Sequence, residues 1–245
     1  MTLDFNRIKD RISQWWRYPQ PTSRQRDLLG LRTDSIDIDF TARRLASESS
    51  AEYLTNFARR ARNFATDYDL HEWIPSQIDP RLADGLYLEF GVATGRTLNH
   101  WGRLWPEHTI YGFDGFEGLP ETWTWYLRKG AFQQSLPSVR RNCELVVGWF
   151  DKTLEPFLVD HAGDAAFVHI DCDLYSSTAY VLTQLQPRIR PGTVILFDEY
   201  WNFPGWQDDE FNAWQEFVVN NDVKYSYLGF VSQHQQVAVR VDQIG

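Results

Sequence analysis

Cysteine is scarce in this chain: Cys143 and Cys172 are the only two among 245 residues. Neither belongs to a C-x-x-C pair, so no zinc or multi-disulfide framework is supported, although one bridge between the two remains open. Positive charge is not in excess. There are 24 Lys and Arg against 33 Asp and Glu, a net charge of −9. That balance argues against a protein that tracks nucleic-acid phosphates. No apolar run approaches the roughly 18 residues that a membrane span needs. No internal repeat or low-complexity tract is apparent, and the opening MTLDFNRIKDRISQWW is too charged for a signal peptide. A cytoplasmic protein without nucleic-acid or membrane partners is expected.

What is abundant is core material. Hydrophobic residues make up 43% of the chain and aromatic residues 16%, with 11 Trp. This suits one large domain, or one domain with an added arm, and argues against disorder.

Two regions differ in rhythm. Residues 1–80 read as a helical arm. LDFNRIKDRISQWW has amphipathic spacing, YPQPTSRQ is a Pro-broken linker, and TARRLASESSAEYLTNFARRARNFA has helical spacing without a strong breaker. The arm's arginines read as a solvated helix face; a substrate lid or a dimer contact is the sharper alternative. A homo-oligomer is compatible with such an arm, but no heptad seam is evident. Residues 81–245 alternate short apolar runs with helical stretches. GLYLEFGV, TIYGFD, CELVVGWF, AAFVHID and GTVILFD are the runs, and KYSYLGF with HQQVAVRV reads as a closing hairpin. Continuous apolar strands alternating with helices predict a seven-stranded, mostly parallel α/β sheet covered on both faces.

Ligands of such sheets bind at the carboxyl ends of the strands, near the switch in strand order. The residues just after each run therefore matter most. After the first run comes Glu89-Phe90-Gly91-Val92-Ala93-Thr94-Gly95. Its glycines permit a tight turn and close backbone approach, and Gly95 opens a helix whose N–H groups can meet a polar group. The spacing is not G-x-G-x-x-G, so an NAD-dependent oxidoreductase is disfavoured. Asp114 ends the second run, at the position where nucleotide-binding sheets hold ribose hydroxyls; an Asp-Gly turn is the plain alternative.

The fourth run ends in Asp171 and Asp173, and the fifth in Asp198 and Glu199. Residues i and i+2 of an extended chain point the same way, so both aspartates can face one site. Four carboxylates on neighbouring strands repel one another, and a hard divalent cation relieves this. The plain alternative is that Asp173 caps the helix that follows, or that Asp173 and Asp198 cap loops while their neighbours are solvated. His169 shares the parity of the two aspartates; it reads as a partner to them, a base, or a hydrogen-bonded core histidine. Trp201, Phe203 and Trp206 follow the acid pair and are candidates for substrate contact.

EFGVATGRT, YGFDGFEGLP, VVGWFDKTL, HIDCDLYSST and PGTVILFDEY, in that order over residues 85–220, resemble the macrocin O-methyltransferase family. The resemblance implies a Rossmann-like class I methyltransferase fold that uses S-adenosylmethionine (SAM) and Mg²⁺ or another divalent cation on sugar hydroxyls of natural products. It implies that Glu89, Gly91, Ala93, Thr94 and Gly95 surround the amino-acid part of SAM, that Asp114 holds the ribose, and that Trp149 and Phe150, after Gly148, approach the adenine. It implies Asp171, Asp198 and Glu199 as metal ligands and Asp173 as general base. The chain departs from the pattern in one position: Glu199 stands where family members carry a second Asp. The acids are also similar to those of catechol O-methyltransferases, but Leu174 stands where a lysine would favour that type. A glycosylated or diol-bearing small molecule is the expected acceptor. A vicinal-diol acceptor of the catechol kind and a SAM-binding protein without transferase activity are the alternatives.

Overall fold

The computed structural model describes residues 38–124 and 126–245. The expected helix LDFNRIKDRISQWW and the linker YPQPTSRQ lie outside the described residues. Residues Ala42–Gly245 form one compact unit.

Helix α1 (Ile38–Tyr53) is followed by a π-helical segment, Leu54–Ala58, and by strand β1 (Arg62–Phe64). Helix α2 (Asp67–Trp73) starts with a capping box between Thr66 and Asp69, which satisfies two otherwise free N–H donors. The α/β alternation then begins: β2 (Leu86–Phe90), α3 (Arg96–Leu104), β3 (Ile110–Asp114), β4 (Cys143–Val147), α4 (Phe150–Asp160), β5 (Ala165–Ile170), α5 (Tyr175–Leu185), β6 (Val194–Phe197) and α6 (Glu210–Asn220). Strands β7 (Lys224–Val231) and β8 (Val237–Gln243) close the chain.

All the strands among the described residues join one sheet in the order β1-β7-β8-β6-β5-β2-β3-β4. Strand β8 runs antiparallel to both β6 and β7, while β2 through β6 pair in parallel. This is the Rossmann-like α/β sheet expected, with eight strands in place of seven. The additional strand is β1, within a stretch whose spacing reads as continuous helix. It pairs with β7, Arg62 opposite Gly229. A Cβ on Gly229 would lie 2.7 Å from the Phe64 ring, so the missing side chain there is what admits the edge strand.

The central strands β5 (AAFVHI) and β6 (VILF) are buried at every residue, as expected for a sheet covered on both faces. Their alternate positions feed two cores. Leu88, Phe90, Val168, Ile170, Ile195 and Phe197 face α4, α5 and α6. Tyr87, Phe167, Val194 and Leu196 face α2 and α3, against Trp101 and Trp105. The order of strands reverses between β2 and β5, which places a crevice at their carboxyl ends. Among the described residues, the β3–β4 connection carries no helix. The described residues of this connection fold back on themselves, with Leu119 and Ala131 paired through the backbone.

Candidate functional site

The glycine loop after β2 lies in that crevice. Gly91 has φ 95°, and a Cβ built on it would lie 1.7 Å from the carbonyl oxygen of Asp171. Its N–H donates to Phe113 O, and Asp171 N–H donates to Phe90 O. The loop is thus pressed between the ends of β3 and β5, which only a residue without a side chain permits. Ala93 and Thr94 are exposed, and Gly95 caps α3 with φ 75°.

Asp114, at the end of β3, clamps this loop. Its Oδ2 accepts the N–H groups of Val92 and Ala93, both at 2.9 Å, and its Oδ1 accepts that of Phe116 at 2.6 Å. Two of its carboxylate's lone-pair sites on one oxygen are used by the backbone, leaving Oδ1 with spare capacity. Gly115 follows, with the Trp149 ring 3.5 Å from where its Cβ would be. Trp149 caps α4, and Phe150 packs edge-on against Phe90. Both are half-buried.

Glu89 is placed elsewhere than beside the loop's exposed rim. It is fully buried, its Oε1 accepts from Thr97 Oγ1 at 2.8 Å, and its Oε2 lies 3.4 Å from His169 Nδ1. The register pairs Glu89 directly with His169 on β5. On its other side, His169 Nε2 lies 3.7 Å from Asp198 Oδ1. Trp101 Nε1–H also points to His169 Nδ1, at 3.3 Å. A protonated Nδ1 cannot accept that bond, but interactions with charged groups outweigh a neutral hydrogen bond. Burial opposes the charged imidazole, yet Asp198 and Glu89 outweigh it and push its pKa up to about 10. His169 is fully buried between two acids, with no exposed surface from which to act as a base.

The acids after β5 and β6 converge. Ligand atoms of His169, Asp171 and Asp198 lie within 4.8 Å of one another, and so do those of Asp171, Asp173 and Glu199. The two sets share Asp171. Asp171 and Asp173 do meet, but not through an extended strand. Leu174 N–H donates to Cys172 O at 2.6 Å across Asp173, whose φ is 63°. A non-glycine residue in a three-residue turn of this hand costs on the order of 1–3 kcal/mol. Asp173 does not cap the next helix, whose N-cap is Leu174 with no side-chain bond.

Electrostatics follow from this crowding. Burial first, then Asp198, raises both Asp171 and Glu199 well above the usual carboxylate range. Burial, Asp198, Asp209 and Asp114 push Asp173 up to about 7. Burial also opposes ionisation of Asp198, but His169 and Gln236 outweigh it and hold its pKa low; Gln236 Nε2 donates to Asp198 Oδ2 at 3.1 Å. Glu199 Oε2 is buried without a partner among the described residues. Four hard oxygen donors, mutual repulsion and this orphaned atom fit a divalent cation with oxygen ligands.

Several residues here were not legible beforehand. Glu210, the first residue of α6, is fully buried, and its carboxylate accepts N–H groups from both acidic loops: Cys172 at 3.4 Å and Glu199 at 3.1 Å. In the sequence it is one acid of the run DDE at a helix start, where acids are ordinary. Trp123 and Asp209 join the 115–142 segment to α6, with Trp123 Nε1 donating to Asp209 Oδ2 at 2.8 Å. Glu121 likewise accepts from Ser176 Oγ at the start of α5. This segment therefore straps the carboxyl edge of the sheet. Trp201, Phe203 and Trp206 are 3%, 7% and 2% exposed. Trp206 is held by Ser49, and the backbone beside Trp201, at Asn202, by Ser50, both from α1. An open depression of about 730 Å³, lined by Asp84, Glu107, His108 and Asp160 among others, lies at the opposite, amino end of the strands.

Residues 88–200 match a family described as a methyltransferase domain. A demethyldecarbamoylnovobiocin O-methyltransferase from Streptomyces niveus is 28% identical over 129 residues, 44% of this chain and 48% of that protein. An 8-demethyl-8-(2,3-dimethoxy-alpha-L-rhamnosyl)-tetracenomycin-C 4'-O-methyltransferase from Streptomyces olivaceus is 31% identical over 151 residues, 50% of this chain and 57% of that protein. The chain thus spans about half the length of the curated relatives it matches. The crystal structure of a calicheamicin methyltransferase superposes with a TM-score of 0.54 at 19% identity, covering 98% of this chain and 93% of that one. The fold is that of a class I methyltransferase.

Proposed function

We propose that this chain is a SAM-dependent O-methyltransferase that acts on a hydroxyl of a sugar or related natural-product diol, assisted by a divalent cation. One observation carries the reading: Asp171, Asp173 and Glu199 gather at the ends of β5 and β6, against the glycine loop that Asp171 O touches at Gly91. Donor loop and acid cluster share one crevice. The relatives' names support the acceptor class, since one names a rhamnosyl-bearing compound methylated at a 4' oxygen.

The chain's residues divide the work as follows. The Gly91–Gly95 loop and the N–H groups opening α3 bind the polar end of SAM. Asp114 holds the loop through Val92 and Ala93 and offers Oδ1 to the ribose. Trp149 and Phe150 flank the base. SAM supplies an activated methyl group on a sulfonium. The carbon–sulfur bond breaks as the bond to the acceptor oxygen forms, and the hydroxyl proton goes to Asp173, giving S-adenosylhomocysteine and a methyl ether. Holding both reactants in line is the main contribution of the fold. A pKa pushed up to about 7 suits Asp173 to take a proton near neutral pH. A cation held by Asp171, Asp198 and Glu199 would supply Lewis acidity to the acceptor oxygens.

Calorimetric titration of SAM, with Mg²⁺ and with a chelator, followed by Mg²⁺ into the SAM complex, tests both halves. A SAM isotherm and a separate Mg²⁺ isotherm that Asp171→Ala removes are expected. SAM binding without any cation effect would favour a SAM-binding protein lacking this chemistry.

A further inference from the structure

We infer that Glu210 is a positioning residue that sets the two acidic loops against each other. The inference rests on the reading of those loops as the reactive site.

The observation is a single buried carboxylate shared between two chain segments. Glu210 is 0% exposed. Its Oε2 accepts Glu199 N–H at 3.1 Å and its Oε1 accepts Cys172 N–H at 3.4 Å. Cys172 lies between Asp171 and Asp173, and Glu199 directly follows Asp198. One rigid group thus holds the backbone at the centre of each acid pair.

An acid in the first turn of a helix ordinarily serves its own helix, through the helix dipole and free N–H groups. Glu210 instead spends both oxygens on other elements, at a position where burial and Asp173 oppose its charge. A buried carboxyl group is unfavourable unless hydrogen-bonded, and Glu210 is bonded at both oxygens, closely to Glu199 N–H and at longer range to Cys172 N–H. Two N–H donors facing two oxygens require that both oxygens accept, which the carboxylate does and an amide cannot. The same contact answers a need of the loop after β5. With Asp173 held at φ 63°, that turn stays formed only when its surroundings fix it. Cys172 is the residue that Glu210 grips, and its carbonyl closes the turn.

Glu210 reaches no ligand position directly and acts through Glu199 and the Asp171–Asp173 turn. Residues that orient metal ligands typically change metal affinity by about 10–100-fold when altered.

The test compares the full chain with Glu210→Gln and Glu210→Ala. The readouts are hydrogen exchange at the Cys172 and Glu199 amides, Mn²⁺ affinity by electron paramagnetic resonance, and SAM affinity by calorimetry. Glu210→Ala is expected to speed exchange at both amides and to weaken Mn²⁺ by about tenfold or more, with SAM affinity within about threefold. Glu210→Gln is expected to release one amide and keep the other, since the side-chain amide offers one acceptor. If Glu210→Ala fails to fold, the glutamine variant decides. Unchanged exchange at both amides in Glu210→Gln overturns the inference, as does a loss of SAM affinity as large as the loss of Mn²⁺ affinity. A wild-type chain that binds no Mn²⁺ removes the cation from the proposed function; the amide exchange still decides the role of Glu210.

Discussion

The α-carbon of Gly91 faces the carbonyl oxygen of Asp171 so closely that a Cβ would stand 1.7 Å from it. The donor-side loop and the acidic loop are therefore in backbone contact. Gly91→Ala must move one of them, and it must also hold φ 95° with a side chain. Each burden is on the order of 1–3 kcal/mol. Chemical denaturation should show a loss of about 2 kcal/mol or more, and a loss below about 0.5 kcal/mol would mean that the contact is not present in solution.

Asp114 offers a cleaner separation of roles. Asp114→Asn keeps one oxygen, enough for Val92 and Ala93, but turns an amide N–H₂ toward Phe116 N–H or the reverse. Leaving a buried donor unpaired costs about 1–3 kcal/mol. SAM affinity should fall about tenfold or more, since about 1.4 kcal/mol corresponds to tenfold. Calorimetry on the variant checks this, and unchanged affinity would leave Asp114 as a turn residue alone.

Asp173→Asn should lower turnover by about 100-fold or more, the usual contribution of a positioned base, while SAM affinity stays within a few-fold. In the wild type, activity should rise with pH up to about 7, the value to which burial and neighbouring acids push Asp173 without a cation, because only the deprotonated form accepts a proton; added Mg²⁺ should move the rise to lower pH. A flat profile between pH 5 and 9, or full activity in the variant, would reject the assignment.

Stability should carry the same signature with the opposite slope. Asp173 titrates near 4 when unfolded and at about 7 when folded. Between these values the folded chain binds more protons, so stability falls as pH rises. The contribution is fully present below about 4 and lost as pH passes about 7. Asp171 and Glu199, also shifted upward, act in the same direction. Mg²⁺ or Mn²⁺ should raise Tm more at pH 7.5 than at pH 5, since protons compete for the same oxygens. Scanning calorimetry with and without the cation checks this. A Tm increment that is larger at low pH would contradict it.

Much of this molecule follows from local sequence. The runs AAFVHI and VILF are apolar at nearly every position, and only a strand buried on both faces calls for that. Gly91 and Gly95 fall where backbone with positive φ is needed, and both adopt it. Acids placed at the ends of successive strands meet because a parallel sheet brings all those ends to one edge. What sequence could not supply depends on contacts between distant segments. Strand β1 exists because Gly229, over 160 residues away, leaves room for Phe64. The helical spacing around it carries no trace of this. Asp171 and Asp173 meet through a left-handed turn, not through strand parity, because the chain leaves the sheet after Ile170. The Trp-rich loop is buried by α1, whose serines its own pattern does not mark. Glu210 is one acid among three in a row until tertiary structure brings Cys172 and Glu199 to its two oxygens. Local pattern records which face a residue shows; which distant donor it meets is decided only when the elements pack.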